Sequence, residues 1–127
     1  MFQAGVSRPL RARHFLAGDF GDESVPHAHP YQVELISSSE ELDENGFSTD
    51  IAAMEAALEE TISEIDDVLL NDLPYFRNRQ PSLEHLAVYL VETVREKLAV
   101  RAAAPSLPLE VRIWENEHAW AGFRENR

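Results

Sequence analysis

The sequence predicts an α+β domain in which two helices cover one face of a four-stranded antiparallel sheet. Two observations carry that prediction: two long segments read at helical spacing, and they lie between two pairs of segments that alternate at strand spacing. A strand, strand, helix, helix, strand, strand order lacks the βαβ alternation of a parallel sheet, so helices segregated onto one sheet face are the expected packing. The length of 127 residues suits one core, and 1–127 is read as a single domain.

The elements follow in order. In Met1 to Leu16, Leu10, Ala12 and His14 share one strand face, and Arg11 and Arg13 share the other. The turn formers Gly18-Asp19-Phe20-Gly21-Asp22 interrupt the run. Alternation resumes from His27 to Ile36, with Tyr31, Val33 and Leu35 on one face, so the two strands can pair as a hairpin with a long connection. Ser37 to Glu41 and the turn at Glu44-Asn45-Gly46 read as loop. With Thr49 or Asp50 as cap, Ile51, Met54, Leu58, Ile62 and Ile65 form the apolar stripe of a first helix, and Glu55, Glu59 and Glu60 form its solvent face. Pro74 and Pro81 punctuate a loop from Asn71. Ser82 then caps a second helix with a stripe of Leu83, Leu86, Ala87, Leu90, Val91, Val94 and Leu98. A linker from Ala102 to Pro108 precedes the alternating Leu109, Val111 and Ile113, and a last short strand is expected near Trp120 to Phe123.

Charge narrows the function. The net charge of −12 opposes binding to nucleic acid, which requires a basic face. Between Arg13 and Arg77 there is no Lys or Arg, while 16 of the 23 acidic residues fall there; an anionic substrate would have to find local arginines such as Arg11, Arg13, Arg77 and Arg79. The absence of cysteine excludes disulfides, thiolate metal sites and cysteine nucleophiles. No apolar run of transmembrane length and no signal-like N-terminus is found, so no membrane association and a cytoplasmic location are expected.

Three of five histidines lie in the first 29 residues. His27 and His29 are two apart in a strand and point the same way, and His14 ends the neighbouring strand. Three neutral imidazoles with an open fourth position suit a catalytic zinc ion, although a His-x-His pair also occurs among ordinary hydrogen-bonded histidines.

The order of motifs resembles the 6-pyruvoyltetrahydropterin synthase and 6-carboxytetrahydropterin synthase family. The resemblance rests on His14, His27-Ala28-His29-Pro30-Tyr31, Gly46 to Asp50, Ile65-Asp66-Asp67, Leu70-Asn71, Pro81-Ser82-Leu83-Glu84-His85 and Val111 to Asn116. It implies the tunnelling fold, in which subunits join their sheets into a barrel with active sites between neighbours. A homohexamer built as a dimer of trimers is expected. It further implies zinc held by His14, His27 and His29, and a pterin substrate anchored by Glu115, whose carboxylate can accept two parallel hydrogen bonds from the amino-pyrimidinone edge.

Three departures stand out. The family's usual cysteine base is missing, and Glu23, four residues before His27, is similar to the glutamate that one branch uses instead. Asp66 matches the family aspartate, but Asp67 replaces the histidine beside it, and two acids cannot reproduce an Asp-His relay; the pair also reads simply as the end of the first helix. Ala28 replaces a glycine. The implied activity is a zinc-dependent lyase acting on 7,8-dihydroneopterin triphosphate or a related pterin, with Glu23, Asp66 and Asp67 as catalytic candidates. The alternative is a zinc- and pterin-binding protein without that activity.

Overall fold

A computed structural model describes residues 1–101, 103 and 108–126. Strands β1 (Phe2–His14) and β2 (His27–Ser39) form a long hairpin, paired without interruption from Phe2 opposite Ser39 to His14 opposite His27. Helices α1 (Ile51–Ile65) and α2 (Leu83–Val100) follow, then β3 (Leu109–Trp114) and β4 (Trp120–Arg124), giving an antiparallel sheet in the order β1-β2-β3-β4. Two prolines, which have no N–H to donate, fit this arrangement because each has one side without a strand partner. Pro9 lies in the edge strand, and Pro30 lies in the part of β2 that β3 does not reach, since β3 pairs only from Gln32 to Ser37. Among the described residues, no helix is long and apolar enough to cross a membrane.

Both helices lie on the sheet face that carries Leu10, Ala12, Tyr31, Val33, Leu35, Val111 and Ile113. Met54, Leu58 and Ile65 of α1 and Leu86, Leu90, Val94 and Leu98 of α2 complete the core. The caps are Asp50, which accepts the Ala53 N–H at 3.1 Å, and Ser82, which accepts that of His85 at 3.2 Å.

Several expectations need correction. β2 runs on through Ser37-Ser38-Ser39, read above as loop: backbone pairing needs no apolar side chain, and Ser37 also pairs with Leu109 of β3. Ile51 starts α1 but is 48% exposed, so the buried stripe of the helix begins at Met54. The acidic face of α1 is not simply solvated, since Glu55 pairs with Arg8, Glu60 with Arg101 and Glu64 with Lys97. The stretch from Leu70 to Phe76 folds into two short 3-10 turns that bury Leu70 and Phe76. Of the expected linker at Ala102 to Pro108, Ala102 and residues 104–107 lie outside the described residues.

Candidate metal centre and adjoining cavity

The hairpin register brings the histidines together. His14 and His27 are direct partners at the open end of β1–β2, and His29 lies two residues along the same face. Their ring centroids are 4.6 Å (His14–His27), 4.7 Å (His27–His29) and 5.3 Å (His14–His29) apart. Glu23, on the 3-10 turn Gly21–Ser24, joins them: one donor atom from each of the four residues lies within 4.8 Å of the others. Zinc–nitrogen bonds of about 2.0 Å in a tetrahedron place donors about 3.3 Å apart, so a small contraction would close this set around an ion.

Hydrogen bonding points the same way. The Nδ1–H of His27 donates to the Val25 carbonyl at 2.7 Å, so Nε2 is the ring nitrogen turned to the cluster. That Nε2 lies 2.8 Å from Glu23 Oε2, outside hydrogen-bonding geometry, and His29 Nε2 lies 3.9 Å from the same oxygen. His14 Nδ1 and His27 Nε2 are buried without a hydrogen-bond partner, a costly state for polar atoms unless something else occupies them. Burial, followed by the neighbouring His27 and His29, lowers the His14 pKa to about 4, so its ring is neutral and ready to ligate. The donor set therefore fits a divalent metal such as zinc. Ala28 sits in ordinary β backbone without a positive φ, so the glycine it replaces is not required here.

A cavity of about 300 Å³ opens beside the cluster, lined by His14, Glu23 and His29 together with Tyr31, Ser82 and Glu115. Glu84 also reaches it. The Tyr31 ring stacks on His29 at 5.4 Å, and burial, then Glu115 and Glu23, raise its pKa, which keeps the phenol neutral. A second hollow of about 630 Å³ shares Tyr31 and Glu115 and is walled by Pro9, Pro30 and Trp114. Among the described residues, neither space is lined by Lys or Arg.

Asp66 and Asp67 lie elsewhere. Asp66 is the C-cap residue of α1, and its Oδ1 accepts the Arg11 N–H at 2.9 Å. Asp67 sits at φ 58°, a left-handed conformation that aspartate tolerates, with its N–H on the Arg11 carbonyl and its carboxylate on Arg11 Nε at 3.1 Å. Both are exposed at the outer edge of β1, three residues or about 10 Å along the strand from His14. Arg11 and Arg13 point to the same edge, and Arg79 stacks on Tyr75, so these do not line the cavity. Strand alternation marks Tyr31 as core and the helix pattern marks Ser82 as a cap, and neither pattern shows them as cavity walls. The available signal for Tyr31 was its position two residues after His29 on the same strand face.

The sequence profile described as 6-pyruvoyl tetrahydropterin synthase matches residues 5–126. No curated protein sequence matches significantly. Among solved structures, the chain is similar to the 6-pyruvoyl tetrahydropterin synthase of Caenorhabditis elegans, at 17% identity and a TM-score of 0.81, covering 98% of this chain and 96% of that one. It is also similar to 6-pyruvoyl tetrahydropterin synthase from Plasmodium vivax, at 14% identity, a TM-score of 0.74 and complete coverage of both chains. An uncharacterized Wolinella succinogenes protein matches at 16% identity and a TM-score of 0.73, covering 98% of each chain. These likenesses establish the fold, and the profile match over nearly the whole length establishes the kinship: the chain belongs to the 6-pyruvoyl tetrahydropterin synthase family.

Proposed function

We propose that this chain is a zinc-dependent lyase acting on the side chain of a dihydropterin. The observation that carries the reading is that one cavity is lined by His14 and His29 of the imidazole cluster together with Glu115. His14, His27 and His29 would hold the metal, which when bound supplies Lewis-acid polarisation of a substrate oxygen. Glu115 accepts two parallel hydrogen bonds from the amino-pyrimidinone edge and fixes the ring's orientation. The neutral Tyr31 phenol, which lines the same cavity, can donate to the ligand.

Glu23 is the proposed base. Its carboxylate lines the cavity beside the imidazoles, where it can take a proton from the substrate side chain. In the Plasmodium vivax protein, the catalytic residue altered in two solved variants is a glutamate, which supports the same use of Glu23 here. Asp66 and Asp67 are assigned a catalytic part only across a subunit boundary, in a homohexamer whose active sites lie between neighbours. A cytoplasmic enzyme is the matching location.

The cavity walls favour a pterin without phosphates over 7,8-dihydroneopterin triphosphate, because its carboxylates repel phosphate and no described cation lines it. The second reading, binding without turnover, is favoured by the position of Asp67 on the outer edge. Titration of the zinc-loaded protein with dihydroneopterin and with its triphosphate tests the site. The expected result is binding of dihydroneopterin at least as tight as that of the triphosphate, weakened about tenfold or more in Glu115→Gln. Unchanged binding in that variant contradicts the anchor. Binding without product in the native protein selects the second reading.

A further inference from the structure

Pairing between β1 and β2 ends at His14, and beyond it two side-chain amides bond the chain as a strand partner would. Asn71 Oδ1 accepts the Phe15 N–H at 2.9 Å while its Nδ2 donates to the Phe15 carbonyl at 3.0 Å. Two residues on, Gln80 Oε1 accepts the Ala17 N–H at 2.9 Å and its Nε2 donates to the Ala17 carbonyl at 2.8 Å. A side-chain amide offers the same donor and acceptor as a peptide group, so each pair reproduces one rung of a ladder. Between them, the Leu16 N–H turns the opposite way and donates to the Glu23 carbonyl at 2.7 Å.

Both clamping residues are themselves held. Asn71 belongs to the 3-10 turn Leu70–Asp72, and Leu70 is fully buried. The Gln80 carbonyl accepts from His85 Nδ1 at 2.7 Å, in the first turn of α2. On the loop, Ser24 Oγ accepts the Phe20 N–H at 2.9 Å and donates to the Gly18 carbonyl at 2.6 Å, which closes the segment beside Glu23.

We infer that Asn71 and Gln80 are positioning residues: by fixing Phe15 and Ala17 they aim Leu16 at Glu23, and so hold the Glu23 carboxylate against His27 and His29. The clamp spans the gap between the helical layer and the loop, so Glu23 is set by residues about 50 to 60 positions away in sequence. This rests on the reading of the cluster as a metal site, and not on the ligand being a pterin. The Gln80 bonds are exposed and the Asn71 bonds only partly buried, so water can replace them at modest global cost and their loss should be felt locally.

Two measurements on Asn71→Ala and Gln80→Ala test it. In metal-free protein, hydrogen exchange at the Leu16 amide should quicken about tenfold while the central β2 amides stay protected. Zinc affinity, read by competition with a chelator, should fall about tenfold when Glu23 is present and not in a Glu23→Gln background, the signature of two residues acting through one group. Unchanged Leu16 exchange in a folded variant overturns the inference, as does an equal affinity loss, or none, in both backgrounds. Should an alanine variant fail to fold, Asn71→Asp and Gln80→Glu keep the acceptor and lose the donor, and the same comparisons decide. Should the protein take up no zinc, the metal reading fails and the Leu16 exchange alone decides whether the clamp exists.

Discussion

The two acidic and histidine-rich motifs at the ends of this hairpin's neighbourhood look equally promising in sequence and are opposites in space. At His14, His27 and His29, polar atoms are buried and two ring nitrogens have no hydrogen-bond partner. At Asp66 and Asp67 the carboxylates are exposed, and each has already found the Arg11 backbone or side chain. Chemistry needs groups that the fold has desolvated and left unspent. The histidine end has them, whereas the aspartate end uses its charges to tie the end of α1 to β1.

The sharpest way to break this contrast is at Glu23, the one acid that joins the histidines. Glu23→Gln keeps the shape and removes the basic oxygen, so turnover of the pterin should fall by about 100-fold or more. A steady-state assay showing full activity would remove Glu23 from the chemistry. A second comparison uses pH. In chelator-treated protein, the His14 pKa is about 4 when folded and about 6.5 when unfolded. Between those values the unfolded chain binds the proton and the folded chain does not. Stability therefore declines as pH falls from about 6.5 to about 4 and levels off below, by about 3 kcal/mol in all. Urea unfolding at several pH values should show that slope, and His14→Ala should flatten it. The smallest effect belongs to the other end: Asp67→Asn should change stability by less than about 0.5 kcal/mol, since its ion pair with Arg11 is exposed, and should leave metal content unchanged.

Much of the fold was legible because its signals are local. Alternation in β1 and β2, the stripes of α1 and α2, and the Asp50 and Ser82 caps all act within a few residues, and the structure carries them. Ser37 to Ser39 were not legible as strand, since their pairing is made by backbone groups of β1 and β3 that lie far away in sequence. The ion pairs of Glu55, Glu60 and Glu64 were hidden for the same reason. At the site, the histidine trio could be read because a strand period of two and a hairpin register suffice to align it. Ser82 and the amide clamps of Asn71 and Gln80 depend on how the loop after β1 meets the start of α2, which no local pattern encodes.

The most direct test of the account is the metal content of purified protein by elemental analysis, with His27→Ala as control. The account predicts about one zinc per chain in the native protein and almost none in the variant. A native protein that holds no metal after zinc is added and excess removed, or a variant that retains it fully, would contradict the claim that this end of the hairpin is a metal centre.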